Sequence, residues 1–340
     1  MTIKHLVISG GGPNILQIYG GLKYAHTKNI WTIDNIETIH ATSAGTVISL
    51  LFMLKIPIED IDNYFINRPW YNIFHISPQH FLQLFNKTGI FSIKVLSEFL
   101  NPLFKSVDCD CNITLKQLYE RTNIKFYLYT SCLEDFDRRL LSYTTVPEMR
   151  IIEAIYASIS IPCLFEPMLY KNKHYFDGGL FTNYPLDKCI ELLETTNTTF
   201  DTDEILGICG NANKYKQQDN PEIKPQDTTE EDAVEEDLDK EDEIKKDLIE
   251  EDILKEDTIK EEIHPLKNIF EYFFEFIKKM IRYCGNTNKH EIKYEIKLHF
   301  IPFTLTNWND LITSKQHREE NIHRPIKIID NLIESNWKKN

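Results

Sequence analysis

Twice within its first 54 residues the chain runs from a short apolar strand, through a turn of small residues, into a helical pattern. The first strand, residues 5–9, ends at three glycines and is followed by a helical pattern over residues 16–27. The second strand, residues 36–41, leads into the strongly apolar stretch 46–54. Strands that are connected by helices in this way pair in parallel, with the helices packed on the faces of the sheet. The sequence therefore predicts an α/β fold with a mainly parallel central sheet flanked by helices.

This pattern continues to about residue 209 and is then interrupted by a strongly acidic segment. Residues 219–262 hold 21 Asp and Glu against 6 Lys and Arg, a net charge of −15, whereas the whole chain carries −14. The rest of the chain is therefore close to neutral. We predict an α/β core over residues 1–211 and an acidic low-complexity insert over 212–263, which is too poor in apolar residues to form a core of its own. Residues 264–340 are predicted to supply helices and a strand that complete the first core.

Composition and the N-terminal sequence bear on metal binding and location. Seven cysteines at irregular spacing, with no Cys-x-x-Cys pair and no zinc-like Cys/His cluster, predict free thiols and no bound metal. The N-terminus runs straight into the first strand without a signal peptide, and no stretch approaches the ~18 consecutive apolar residues of a membrane-spanning helix. We expect a cytoplasmic protein whose contact with membranes is at most peripheral, with no cofactor and no nucleic-acid partner.

Ser43 stands between the second strand and its helix, in the sequence Ala41-Thr42-Ser43-Ala44-Gly45. A serine on a sharp strand-to-helix turn is the nucleophile elbow of many esterases, with the usual pattern Gly-x-Ser-x-Gly. The residues two before and two after the serine must be small, because strand and helix pass close to each other there. Gly45 meets this requirement, and Ala41 is one methyl group larger than the usual glycine. The same pattern is also compatible with a small-residue strand end before a core helix.

A run of three glycines, Gly10-Gly11-Gly12, follows the first strand and precedes a helix. A dinucleotide-binding loop would need a glycine at position 15, where this chain has Ile15, and a Walker loop would need a following Gly-Lys-Ser or Gly-Lys-Thr. The interpretation that is left is an oxyanion hole. There, backbone N–H groups stabilise the negative oxygen of a tetrahedral intermediate.

Far downstream, Asp177-Gly178-Gly179 follows a strand that ends in Tyr-Phe. Asp-Gly is also common in hairpin turns, so the pattern alone is compatible with a surface turn. A carboxylate at this place could instead accept the proton of the Ser43 hydroxyl directly. Asp177 is therefore a candidate for the catalytic partner of Ser43.

Taken together, these motifs resemble those of the patatin-like phospholipases. That family has a glycine-rich oxyanion loop near the N-terminus, a later G-x-S-x-G elbow and a D-G-G/A motif far downstream. Three further stretches are similar to the family's: TLKQLY at 114–119, AIYASISIPCLF at 154–165 and DGGLFTNYP at 177–185. The resemblance covers most of residues 3–210 and, more loosely, 264–335.

The resemblance implies a three-layer patatin-like fold and a lipid acyl hydrolase of phospholipase A type. Its substrate would be a glycerophospholipid or another acyl-ester lipid, and no metal ion would take part. Asp177 would accept the proton of Ser43, which attacks the ester carbonyl, while Gly10, Gly11 and Gly12 hold the oxyanion. Water would then hydrolyse the acyl-enzyme. Small residues with a structural role complete the predicted site: Ala41, Gly45, Gly178 and Gly179.

The sequence departs from the family pattern in the glycine loop and at the elbow. Shortly after the glycines, where the family usually has Arg-Gly, this chain has Asn14-Ile15, and Ala41 replaces the first glycine of the elbow. One alternative is therefore a catalytically weak or inactive member that binds lipid or a protein partner. Another is a Ser-His-Asp α/β-hydrolase, which would need a histidine after the acid in chain order. The histidines that follow the aspartate are His264, His290, His299, His317 and His323.

Overall fold

The structure is a computed structural model of the 340-residue chain. It describes Met280, Trp337 and residues 2–84, 86–196, 200–211, 288–302 and 304–335. The predicted acidic insert, residues 212–263, lies outside the described residues, and its limits stay a prediction.

The strands are β1 (His5–Ile8), β2 (Thr38–Thr42), β3 (Gly89–Phe91), β4 (Lys125–Cys132), β5 (Asp137–Leu141), β6 (Cys163–Phe165), β7 (Met168–Tyr170), β8 (Lys173–Asp177), β9 (Ile205–Gly210) and β10 (Tyr294–Leu298). The α-helices are α1 (Ile15–Thr27), α2 (Ala44–Met53), α3 (Ile58–Asn67), α4 (Tyr71–Phe74), α5 (Pro78–Gln83), α6 (Ile93–Ser106), α7 (Leu115–Thr122), α8 (Ile151–Ile159), α9 (Gly179–Thr182), α10 (Leu186–Thr196), α11 (Leu305–Thr313), α12 (Lys315–His323) and α13 (Pro325–Ser335).

A mixed eight-stranded sheet forms the centre of the fold. Its strands lie in the order β10-β9-β1-β2-β4-β8-β7, and β5 also pairs with β4. The five strands from β10 to β4 are parallel to one another, whereas β5, β8 and β7 join by antiparallel pairing. Strands β3 and β6 form a separate two-stranded sheet. The predicted α/β fold with a mainly parallel central sheet is confirmed.

Side chains of β1 show that both faces of the sheet are covered. Leu6 and Ile8 belong to the main hydrophobic core, which also includes residues of α1 and α2. Val7 points to the other face and joins a smaller core with Leu186 and Ile190 of α10. Alternate residues of a strand point to opposite faces, so a strand between two helical layers is apolar along its whole length. This is why the first strand reads as a continuous apolar run in the sequence.

The region that follows the predicted insert completes the same sheet. Strand β10 pairs in parallel with β9, and α12 and α13 pack against α1. The contact between α1 and α12 is close, because a methyl group at Gly20 would lie only 1.9 Å from the main-chain oxygen of Ile322. The residues before 211 and those after 288 therefore share one core. No helix within the described ranges has the length and apolar character needed to cross a membrane.

Adjacent glycines in α1 allow a test of this packing. Replacing Gly20 by alanine should destabilise the protein by about 1–3 kcal/mol, because the new methyl group meets backbone that cannot move aside. Gly21→Ala is the matched control, since the atom nearest to its methyl group would be the end of the Ile208 side chain, at 2.7 Å, and not backbone. Both variants gain the same helix propensity. Urea unfolding should show a clearly lower stability for Gly20→Ala than for Gly21→Ala, and equal stabilities would contradict the described contact.

Candidate active site

Ser43 occupies a strained turn between β2 and α2. Its backbone angles, φ 50° and ψ −126°, place a non-glycine residue at positive φ, which costs about 1–3 kcal/mol. Directly after it, α2 passes so close to the end of β1 that a methyl group at Gly45 would lie 2.7 Å from Ser9 O. Ala41, on β2, is fully buried. The turn therefore holds Ser43 at the carboxyl end of β2, with small residues on both sides of it.

Asp177 lies against this turn. It is the last residue of β8, where it pairs with Thr130 of the neighbouring strand β4. The Ser43 hydroxyl donates a hydrogen bond to Asp177 Oδ2 at 2.5 Å, and the N–H of Gly179 donates to Asp177 Oδ1 at 2.7 Å. The structure thus brings together the two residues that the sequence analysis singled out as nucleophile and base, 134 positions apart in the chain.

The glycines after Asp177 are required by the space around them. A methyl group at Gly178 would lie 2.2 Å from the main-chain oxygen of Tyr129 on β4. A methyl group at Gly179 would lie 2.9 Å from Asp177 Oδ1, the oxygen that already accepts the N–H of Gly179. Neither position can carry a side chain without moving the carboxylate or β4. The Asp-Gly-Gly sequence therefore fixes the position of Asp177 relative to the sheet.

Two serines after β4 hold the backbone on both sides of the pair. The N–H of Ser43 donates to Ser158 Oγ at 2.9 Å, and the Ser158 hydroxyl donates to Tyr129 O at 2.6 Å. The N–H of Asp177 donates to Ser160 O at 2.9 Å. The main-chain N–H of Ser43 is therefore already used and is not a donor for a substrate oxygen.

The surroundings of Asp177 set its basicity. Burial raises the pKa of Asp177 to about 6, although the hydrogen bonds from Ser43 and Gly179 oppose this shift. At neutral pH the carboxyl group is therefore mostly ionised, yet it is a stronger base than an exposed aspartate. A base of this kind can accept the hydroxyl proton of a serine that attacks a carbonyl group.

The histidines do not complete a triad in the described part of the chain. Of the five that follow Asp177, His264 lies outside the described residues. No hydrogen bond or ion pair joins a described histidine to Ser43 or Asp177, and His290 instead binds Asp187 at 2.8 Å. Within the same ranges, no group of three or more His, Cys, Asp and Glu side chains is arranged to hold a metal ion.

The glycine loop lies beside Ser43. A methyl group at Gly10 would lie 3.1 Å from Ser43 Cβ, which shows how closely the loop approaches the serine. The N–H of Gly10 donates to Asn183 O at 2.9 Å, so this group is not free for an oxyanion. For the N–H groups of Gly11 and Gly12, no acceptor is found among the described residues. The donors that the loop can offer are therefore those of Gly11 and Gly12.

Ser158 and Asn183 are residues of the site that the sequence analysis did not single out. Both lie in stretches that resemble the family, 154–165 and 177–185, and this similarity is the signal that could have drawn attention to them. Their roles depend on which main-chain group each one meets. That information comes from the packing of β4, α8 and β8 and is not contained in the local sequence.

A serine on a strand-to-helix elbow, hydrogen-bonded to a carboxylate and flanked by glycine N–H groups, is typical of serine acyl hydrolases. Comparison with known families agrees with this class. The family model described as Patatin-like phospholipase matches residues 6–190, which is more than half of the chain. The chain therefore belongs to the patatin-like phospholipase family, as the motifs predicted.

Two relatives come from viruses. The chain is 27% identical over 220 residues to "Probable lipid hydrolase 463L" of Invertebrate iridescent virus 6, covering 63% of this chain and 72% of that protein. It is 27% identical over 184 residues to "Uncharacterized protein R571" of Acanthamoeba polyphaga mimivirus, covering 54% and 60%. Among solved structures, VipD from Legionella pneumophila has a TM-score of 0.48 at 13% identity, covering 99% of this chain and 67% of VipD.

The raised pKa of Asp177 makes a prediction about stability. Because this pKa is raised on folding, the ionised carboxylate destabilises the folded state as pH rises from the ordinary aspartate pKa towards about 6. Asp177→Asn does not ionise. Its stability relative to the wild type should therefore increase by about 2–3 kcal/mol between about pH 4 and about pH 8. Urea unfolding at both pH values measures this difference.

Asp187→Asn is the control of opposite sign. Burial raises the pKa of Asp187, but hydrogen bonds from His290 and Lys289 outweigh it and leave that pKa lowered. Its carboxylate therefore stabilises the folded state above the ordinary pKa, and the variant should lose stability relative to the wild type as pH rises. If Asp177→Asn also lost stability relative to the wild type as pH rises, the pKa of Asp177 would not be raised by burial, and the described surroundings of this carboxyl group would be wrong.

Proposed function

We propose that this protein is a lipid acyl hydrolase of phospholipase A type that cleaves the acyl ester of a glycerophospholipid or a related lipid. The observation that carries the proposal is the 2.5 Å hydrogen bond from Ser43 to the buried carboxylate of Asp177, in a chain of the patatin-like phospholipase family. The viral relative described as a lipid hydrolase supports a lipid as substrate.

In the first step Asp177 accepts the proton of Ser43 as Oγ attacks the ester carbonyl carbon. The strained backbone of Ser43 and the hydrogen bond to Ser158 hold the nucleophile in place before the substrate arrives. The pKa of Asp177, about 6, suits this role, because the carboxylate is ionised at neutral pH and still basic enough to take up a proton.

The negative charge that develops on the carbonyl oxygen is stabilised by the N–H groups of Gly11 and Gly12. Gly10, which was also predicted to take part, is left out because its N–H donates to Asn183 O. Collapse of the intermediate releases the lysolipid or alcohol, which takes the proton from Asp177. Water, deprotonated by the same carboxylate, then attacks the acyl-enzyme, and Ser43 Oγ leaves with the proton from Asp177 as the fatty acid is freed.

Variants of the two central residues test this function. On a panel of phospholipids and neutral acyl lipids, Ser43→Ala and Asp177→Asn should each lose at least about 99% of the wild-type activity while keeping the wild-type fold. Because the two residues act as a unit, the double variant should be little worse than either single one. Near-normal turnover of Asp177→Asn would exclude Asp177 as the base. A wild type that is inactive on every lipid would favour the alternative of an inactive lipid-binding protein.

The pH dependence of the reaction gives a second test. Because Asp177 must be ionised in the free enzyme, kcat/KM should rise with pH and level off, with an apparent pKa of about 6. A soluble short-chain ester should be used so that the charge of a lipid surface does not affect the profile. A limb near the ordinary aspartate pKa, about 3.9, would contradict the raised pKa of Asp177.

A further inference from the structure

Asn14 stands at the base of the glycine loop and is buried. Its Nδ2 group donates to Gly11 O at 3.1 Å and to Ile301 O at 3.0 Å. Its Oδ1 accepts the N–H of Ile301 at 2.7 Å and the Nε2 group of Gln17 at 3.0 Å. An asparagine amide has two donor hydrogens and an oxygen with two lone pairs. Both hydrogens and both lone pairs are therefore used, and these four hydrogen bonds fix the position of the side chain.

The contact with Ile301 is reciprocal, since Asn14 both donates to and accepts from the main chain of that residue. It joins the glycine loop to the segment that follows β10. In the same region a methyl group at Gly11 would lie 2.7 Å from Ile18 and 3.1 Å from the ring of Phe300. The backbone of the loop at Gly11 therefore packs closely against these two side chains, and the hydrogen bonds of Asn14 hold it in this position.

The carbonyl oxygen of Gly11 accepts two hydrogen bonds from Asn14, one from the main-chain N–H at 2.9 Å and one from the side chain at 3.1 Å. Because a trans peptide unit is planar, its N–H points opposite to its C=O. The N–H of Gly12, which belongs to the same peptide unit as Gly11 O, therefore points away from the Asn14 side chain. Among the described residues, a methyl group at Gly12 would meet nothing within 4 Å.

We propose that Asn14 is the positioning residue of the oxyanion loop: it fixes the Gly11–Gly12 peptide so that the N–H of Gly12 is oriented for the oxyanion before the substrate binds. The inference rests on the proposed function. Donors that are already oriented stabilise the transition state most, because no reorganisation is needed as the charge develops. Without the side-chain bond, Gly11 O keeps only the hydrogen bond from the main-chain N–H of Asn14, so the orientation of this peptide unit is fixed less tightly.

The family's usual arginine could not take this role in the present chain. A guanidinium group has donors only, whereas Asn14 must also accept from Ile301 and Gln17. A neutral amide has both donors and an acceptor, so it can bind the carbonyl oxygens of Gly11 and Ile301 as well as the donors of Ile301 and Gln17.

The test compares Asn14→Leu with Asn321→Leu. Asn321 is also buried and belongs to the same polar network, through Gln17 Nε2 at 3.3 Å and His317 O at 2.8 Å, but it does not contact the glycine loop. On a soluble short-chain ester, Asn14→Leu should lower kcat by about ten-fold or more with KM within about two-fold of wild type. The second-order rate of labelling of Ser43 by a fluorophosphonate should fall by a similar factor, since its phosphoryl oxygen needs the same donors.

Asn321→Leu should lose similar stability in urea unfolding but keep kcat and the labelling rate within about two-fold. If Asn14→Leu does not fold, Asn14→Asp is used, which keeps the acceptor for the N–H of Ile301 and for Gln17 and loses the donors for Gly11 O and Ile301 O. It should show the same fall in kcat and labelling. Equal kcat values for the Asn14 and Asn321 variants would overturn the inference while Ser43-dependent activity still stood. A wild type without such activity would instead remove the proposed function and this inference with it.

Discussion

The hydrogen bond from Ser43 to Asp177 is the interaction on which the rest of the site depends. It joins a residue with a strained backbone to a buried carboxylate whose pKa no neighbouring cation lowers, and strain and burial each cost free energy. The surrounding main chain makes both possible. Gly45 lets α2 approach β1, and Gly178 lets the turn after β8 approach β4. Close packing of backbones therefore holds a pair of reactive groups that would otherwise move apart.

The same close packing explains which donors remain for a substrate. The N–H groups of Ser43 and Gly10 are bound by Ser158 and Asn183, and these bonds fix the elbow and the loop. The N–H groups of Gly11 and Gly12 are left, and the Gly11–Gly12 peptide accepts two hydrogen bonds from Asn14 through Gly11 O. The proposed nucleophile, its proposed base and the proposed donors thus come from the ends of β2, β8 and β1. They meet where the order of strands in the sheet brings these ends together.

The sequence could predict the parallel α/β fold because the repeated strand–turn–helix pattern is local. It could also single out Ser43 and Asp177 as candidates, because small residues must flank an elbow and a packed turn, and their catalytic roles stay a prediction. It could not predict that the N–H of Gly10 donates to Asn183 O, or that the N–H of Ser43 donates to Ser158 Oγ. Those bonds join residues that are 173 and 115 positions apart, and they depend on how α8 and β8 pack on the sheet. A serine or asparagine in a helix or turn has many alternative partners, so the local sequence carries no such signal.

Detection of the acyl-enzyme tests the central claim most directly. The protein is mixed with a short-chain activated ester, quenched in acid within the first turnover, and examined by intact mass and peptide mapping. The proposed chemistry predicts a single added acyl group on Ser43, which is absent from Ser43→Ala. Hydrolysis of the ester without any acyl group on Ser43, or with the group on another residue, would contradict it.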